Sequence, residues 1–468
     1  MKLATWVIGL ALPLAMHTAF AANSTPPPVV DPSLIEGSYF ITFTDPVGTE
    51  KPILDPPGKL KASEVAFGEH SSGQSKQALE KALGLNGKIM RIFDTINSIH
   101  VLMDAKEAYR FSLDRHVKNV TQNRMFTAAA TTQNNADWGL SRLNQTTAIT
   151  PPNYPYAYQH TGATQTIWIL DSGLTLSSPA VAAEFGGRAF MVYDFNSVNG
   201  VIPDGTEYGR DCVGHGTKVA SVAAGKTYGV AKGAYLKIVK ISKGCAFFNE
   251  NTPADNYIAA INYIATYAQR GTIINVSNYL HDGSYPGCIY PAVIPQLETA
   301  IVAAYNRGII FVTSAGNDGC DTANYSPSRI PEAFVVGATS NKFVIPNTTV
   351  PNSNGKDALM QLPPDPDHNN YVSRSRKGWN ISAFAPGQGV MAMNTGGEGE
   401  LTSGTSMASP YIAGVFALYC EHYGNCATRS VASIYQGLRD SGTLGTVTEP
   451  DSTTPLTGAT SRFIRQQW

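Results

Sequence analysis

From Trp138 onward, short apolar runs alternate with longer helical ones, and few folds accommodate that rhythm. TQTIWILD reads as a buried strand, TKVASVAAG as a helix, AYLKIVKIS as a strand and ADNYIAAINYIATYAQR as a helix. GTIINVS, PQLETAIVAAYNRG and IIFVTSAGN repeat the pattern as strand, helix and strand. Such alternation predicts an α/β fold with a doubly wound, mostly parallel sheet. In that fold the chemistry sits at the carboxyl ends of the strands. With 468 residues, 43% of them hydrophobic and 15% charged, the chain can bury a large core, which excludes disorder throughout.

Ahead of this region, residues 37–126 follow another order. GSYFITFTD reads as a strand, SKQALEKALGL as a helix, IMRIFDTI and SIHVLMD as strands, AKEAYRFSLDRHV as a helix and KNVTQNRMF as a strand. The order β-α-β-β-α-β is the split, ferredoxin-like α+β arrangement. The polar run FTAAATTQNNAD then offers a boundary and a cleavage site, placed at residues 127–137. Residues 138–468 form the main domain, with a Pro-, Asn- and Asp-rich surface insertion expected near 347–368 and a similarly polar tail over 441–461.

Residues 1–21, MKLATWVIGLALPLAMHTAFA, combine a lysine, a short apolar core and a small-x-small end, as a secretory signal does. Residues 22–36 read as a linker. No later window reaches the ~20 apolar residues a membrane span needs. The net charge of -1 gives no electrostatic basis for nucleic acid or an anionic membrane as partner. All six cysteines follow residue 211, and an even number in an exported chain suggests three disulfides. Cys420 and Cys426 are close enough for a local loop, and no cysteine has zinc-ligand spacing.

The stretch LTSGTSMASP sets Ser406 among small residues before the apolar YIAGVFALY. A turn followed by a helix puts Ser406 at a helix start, either as an N-cap or as a nucleophile whose anion faces first-turn amides. Pro410 is expected to cost little there. Asp171 ends TQTIWILD, and His215 lies between glycines in DCVGHGTKVA. Each alone suits a cap or a turn. Together they supply an orienting acid, a general base and a nucleophile in the order known for the subtilisin triad. The flanking glycines are expected to let a substrate backbone approach. Asn317, after a buried strand in IIFVTSAGNDG, is the candidate oxyanion donor beside the Ser406 backbone N–H.

ILDSGL, GHGTKVA, SAGNDG and GTSMASP resemble the four hallmark motifs of subtilisin-like serine proteases, most closely the secreted proteinase K-like branch. The resemblance covers about residues 130–440, including QNNADWGLSRL as a mature amino-terminal segment and NYSPSRIPEAFVVGAT after the oxyanion asparagine. It implies a secreted monomeric endopeptidase acting on proteins or peptides, with residues 37–126 as its own inhibitory propeptide. It implies that Asp171 orients, His215 is the base, Ser406 attacks and Asn317 stabilises the oxyanion. It also implies a Cys212–Cys245 bridge, and Cys288 is the expected mate of Cys320.

Several positions depart from the family pattern. Lys218 and Ser221 replace a second His and a Gly after the histidine motif. In IINVSNYL the family usually has S-L-G-G, the edge on which substrate pairs and one wall of the primary pocket. Ser277 is kept, whereas Asn278 and Tyr279 replace Leu and Gly. Phe247 and Phe248 alter the second pairing strand. These bulky residues either narrow the cleft or turn outward through a bulge. A protease-like peptide-binding protein with little turnover is the alternative they raise, and a peptide ligase a remoter one. No cofactor is required. Structural calcium is common in relatives, but DGTEYGRD and DPDHNN lack the spacing of a defined calcium loop and read as solvated surface.

Overall fold

The computed structural model describes residues 34–44, 73–124, 130–145, 155–199, 201–202, 206–242, 252–280, 288–340, 357–362, 374–424, 426–444, 447–448 and 462–466. The signal, Cys245, Phe247, Phe248 and DPDHNN lie outside them. The chain divides into two compact units, Met1–Ala128 and Ala129–Trp468.

The first unit contains β1 (Leu34–Phe43), α1 (Gly73–Ala82), β2 (Lys88–Phe93), β3 (Ser98–Leu102), α2 (Ala105–Ser112) and β4 (Val117–Arg124). Its sheet is antiparallel with strand order β2-β3-β1-β4, the order of the split ferredoxin-like arrangement. Alternation along β1 sends Ile41 and Phe43 into a core with Ile89, Ile99, Val101 and Phe111. β1 starts at Leu34, three residues before the sequence reading placed it. Asp104 starts α2 by accepting the Glu107 amide at 2.7 Å, which satisfies one first-turn donor.

The second unit opens with β5 (Thr131–Gln133), α3 (Trp138–Leu143), β6 (Tyr156–Tyr158), β7 (Thr166–Asp171), α4 (Pro179–Phe185) and β8 (Ala189–Asp194). It continues with α5 (His215–Ala224), β9 (Tyr235–Lys240), α6 (Ala254–Tyr267), β10 (Ile273–Val276), α7 (Pro295–Asn306), β11 (Ile310–Ser314) and β12 (Phe334–Ser340). Then follow β13 (Asp357–Leu359), β14 (Ile381–Gln388), β15 (Val390–Met393), β16 (Gly399–Thr402), α8 (Thr405–His422), α9 (Val431–Ser441) and β17 (Val447–Thr448). Strands β8-β9-β7-β10-β11-β12-β14 pair in parallel in that order, and β13 joins β12 antiparallel. After β7 the chain first builds β8 and β9 on one side, then crosses to β10 on the other. β7 is therefore a topological switch point, where parallel sheets open a crevice.

α8 is buried from Thr405 to Cys420, as a helix that is apolar all round must be. Phe416 meets the ring of Phe334 of β12 edge-on, with centroids 4.9 Å apart. The mature-type segment is tied to this body. Asp137 caps α3, accepts the Met391 amide at 3.2 Å and accepts the Tyr411 hydroxyl at 3.4 Å, while Trp138 donates to the Gly389 carbonyl at 2.8 Å.

Two polar stretches hold more structure than their composition predicts. Within the expected surface insertion, Ala358, Leu359 and Met360 are buried because β13 pairs with the end of β12. Within the polar tail, Val447 of β17 is buried beside β13, and Phe463 just beyond it is buried as well. A run of three apolar residues is too short for a periodicity signal yet long enough to extend a sheet. Disulfides join Cys288 to Cys320 and Cys420 to Cys426. Cys212 is also disulfide-bonded, and its expected mate Cys245 is outside the described residues.

Candidate active site

Asp171 is the last residue of β7 and is 2% exposed. Its Oδ1 accepts the His215 Nδ1 proton at 2.8 Å and the Ser172 amide at 2.8 Å. A carboxylate only accepts, so Nδ1 of His215 carries the hydrogen and the neutral ring presents Nε2 as an acceptor. Burial, and next the Asp171 charge, push the nearby Tyr257 hydroxyl well above its usual range, so it stays neutral.

His215 is the first residue of α5 rather than a turn residue ahead of it. Its position is set by a residue the sequence reading placed at solvated surface. Asp211 is 3% exposed and ringed by donors. Its Oδ1 accepts Ser172 Oγ at 2.8 Å and the Gly214 amide at 2.7 Å, and its Oδ2 accepts the Thr217 amide at 2.8 Å and hydroxyl at 2.7 Å. The carboxylate caps the helix carrying the histidine and ties it to the residue after Asp171. Oxygens surrounded by these four donors are poor calcium ligands, since the N–H and O–H dipoles point their positive ends inward. The signal available in the sequence was an Asp three residues ahead of a glycine that starts a helix. Among the described residues no group of three or more His, Cys, Asp or Glu is placed to hold a metal.

The glycines around His215 also act differently from the expectation. Gly214 adopts φ +87°, which a side chain resists, and a Cβ on Gly216 would lie 2.3 Å from the Gly173 carbonyl oxygen. Gly216 thus lets α5 press against the chain's own backbone after β7, rather than admitting a substrate.

Ser406 is the second residue of α8, and Gly404 stands at the N-cap without a side-chain cap. Ser406 is therefore not the cap. Pro410 lies inside the helix, beyond its first turn, contrary to the expectation. Lacking an N–H, it leaves the carbonyl of Ser406, four residues back, without its helical donor. Ser277 fills the gap, donating its Oγ to that carbonyl at 2.9 Å. That spends the only hydroxyl proton of Ser277, so Ser409 Oγ at 2.9 Å and Asn275 Nδ2 at 2.9 Å are its donors. Ser277 is 2% exposed, and its side chain anchors the turn that carries Ser406.

Asn317 follows β11. Its Oδ1 accepts the Thr405 amide and hydroxyl, both at 2.8 Å, which fixes the direction of its Nδ2. A Cβ placed on Gly404 would lie 2.8 Å from Ser406 Oγ and 3.4 Å from Asn317 Nδ2. The absent side chain leaves a space the size of one carbon between hydroxyl and amide. The loop bearing Asn317 is held by backbone bonds from Arg374 to the Asn317 carbonyl at 2.8 Å and from Arg376 to the Gly316 carbonyl at 2.9 Å.

Asn278 and Tyr279 do not turn outward. Asn278 lines the hollow shared with Asp171 and His215, and both residues line an adjoining cavity of about 250 Å³ of mixed polar and apolar character with Tyr257, Ile261 and Leu297. Asn275, the asparagine of an N-V-S glycosylation motif, is fully buried and so a poor acceptor.

A hydroxyl at a helix start, an imidazole oriented by a buried carboxylate, and an amide across a one-carbon space suit attack on a carbonyl, the chemistry of serine hydrolases. Residues 162–441 match the family model described as "Subtilase family". An extracellular serine proteinase of Thermus sp. (strain Rt41A) is 30% identical over 91% of this chain and 92% of its own length. A subtilisin-like serine protease of Sarocladium strictum is 30% identical over 74% and 73%. The crystal structure of a cold-adapted subtilisin-like serine proteinase superposes with a TM-score of 0.54 at 25% identity, over 71% of this chain and 99% of that one. The chain belongs to the subtilase family of serine endopeptidases.

Proposed function

We propose that this subtilase is an exported endopeptidase, made as a self-processing zymogen and working through an acyl-enzyme. The observation that carries the reading is the space at Gly404, bounded by Ser406 Oγ and Asn317 Nδ2. A scissile carbonyl carbon placed there meets the nucleophile on one side and the amide donor on the other. His215 Nε2 takes the Ser406 proton as Oγ bonds to carbon, and Asp171 stabilises the resulting imidazolium. The anionic oxygen accepts Asn317 Nδ2–H and the Ser406 backbone N–H, a first-turn amide that no helical carbonyl claims. The imidazolium then protonates the leaving amine, and water repeats the sequence on the ester. Every proton in this cycle moves between protein groups, substrate and water, so no cofactor is required.

The backbone of 277–279 is the proposed pairing edge for a protein or peptide substrate. The first unit, with its ferredoxin-like strand order, is the proposed inhibitor, released by self-cleavage near residues 126–131. Export rests on the signal-like residues 1–21 and on relatives named as extracellular; no helix among the described residues is long and apolar enough to cross a membrane. A monomer is the proposed state. A peptide-binding protein without turnover is not favoured, because the Asp171–His215 hydrogen bond and the Asn317 amide beside Ser406 are arrangements that mere binding does not need.

The test is to express the full chain and its Ser406→Ala variant in parallel, free of other proteases, and compare intact masses. Loss of the residues before about 130 in the wild type alone is expected. The same mature species from both would rule out self-processing.

A further inference from the structure

A buried cation joins the two segments that flank the proposed scissile bond. Arg376 is fully buried. Its Nε donates to Asp318 Oδ1 at 2.6 Å, and its Nη2 donates both to Asp318 Oδ2 and to the Leu280 carbonyl at 2.8 Å. Asp318 directly follows Asn317, and Leu280 directly follows Tyr279. The guanidinium also lies over the Tyr279 ring at 4.9 Å and over the Tyr325 ring at 3.7 Å. Gly316, at φ +116°, has no room for a side chain, because a Cβ there would lie 2.6 Å from Arg376 Nε.

These contacts occupy the gap between residues 279–280 and 316–318. The guanidinium touches one segment through Leu280 and the other through Asp318 and Gly316. Resting on the function proposed above, the gap opens beside the place of the scissile carbonyl, because Asn317, which bounds the space at Gly404, sits between Gly316 and Asp318. We propose that Tyr279, held in place by Arg376, is a specificity-determining residue that restricts the enzyme to small side chains, Gly, Ala or Ser, at the residue supplying the scissile carbonyl. The restriction has a direct physical origin. A Leu or Phe side chain would have to displace a ring stacked on a buried ion pair, and that pair is held by charge-assisted, two-point hydrogen bonds.

The experiment uses the mature enzyme and a set of quenched peptides that differ only at that residue, Ala, Leu or Phe. Wild type is expected to show kcat/KM at least about tenfold higher for Ala than for Phe. Tyr279→Gly is expected to raise the ratio of the Phe to the Ala value about tenfold. Tyr279→Phe, which keeps the ring over the guanidinium, is expected to retain the wild-type preference. A double variant, Arg376→Met with Asp318→Asn, removes the clamp without stranding a charge and is expected to relax the preference in the same direction as Tyr279→Gly. Wild type cleaving the Phe and Ala peptides equally would overturn the proposal, as would an unchanged preference in Tyr279→Gly. The wild-type series stands alone even where a variant does not fold. No cleavage of any peptide, with Ser406 unlabelled by a fluorophosphonate, would overturn the peptidase reading itself.

Discussion

Asn317 and Ser406 are expected to fail differently when altered, because one acts only on the transition state. Asn317→Ala removes an oxyanion donor and should lower kcat about 10²- to 10³-fold with KM nearly unchanged, a magnitude known from subtilisin itself. Steady-state kinetics on one peptide separates the two parameters. Asp171→Asn should cost about 10⁴-fold in kcat, the size seen in another Ser-His-Asp enzyme, because the imidazole loses the acceptor that fixes its Nδ1 hydrogen at 2.8 Å. Asp171, His215, Asn317 and Ser406 could be proposed from the sequence because Asp171 ends a strand, Asn317 follows one, and His215 and Ser406 stand at helix starts, with chain order linking Asp171, His215 and Ser406. Asp211 was not, since nothing in DGTEYGRD distinguishes a solvated carboxylate from one enclosed by donors. The anchoring of Ser406 by Ser277 was hidden for a similar reason: Pro410 and Ser277 are far apart in sequence and meet only in the fold.

The helix that begins with His215 depends on a single carboxylate, Asp211. Asp211→Ala would leave the amides of Gly214 and Thr217 and the hydroxyls of Ser172 and Thr217 without their acceptor. The expected loss is about 2–4 kcal/mol, read from urea unfolding of the inactive Ser406→Ala background so that self-digestion does not intervene. The start of α5 should also loosen, which hydrogen exchange at residues 214–217 would detect. Alternation of short apolar runs with helical ones made β7, β9, β10, β11 and the helices α5, α6 and α7 readable, whereas α4 and β8 were passed over. β13 and β17 escaped it, since their few apolar residues lie inside polar stretches and gain their burial from β12.

For the molecule as a whole, charge burial sets an alkaline signature. Burial pushes the Lys232 ammonium down from 10.5 to about 8, against the upward pull of Glu184 and Asp137. Below about pH 8 the folded chain keeps this proton at a cost. From there to about 10.5 the unfolded chain binds more protons than the folded one, so this group's contribution to stability rises with pH. Lys232→Met should flatten that rise, by on the order of 1–3 kcal/mol between the two ends of the window. Thermal unfolding of the Ser406→Ala form at pH 7.5 and 10.5, with and without the Lys232 change, measures it. The two-unit organisation was readable from composition, because the polar run after residue 126 separates two different element rhythms. The link that Arg376 makes between Asp318 and Leu280 was not, since the three residues come from distant parts of the chain.

An activated Ser406 hydroxyl reacts with electrophiles ahead of every other serine. The most direct measurement treats the purified, folded chain with a fluorophosphonate and locates the adduct by peptide mass. One adduct, on Ser406, formed rapidly and lost in His215→Ala, is the predicted result. An unlabelled chain, or labelling at another serine while Ser406 stays unmodified, would contradict it.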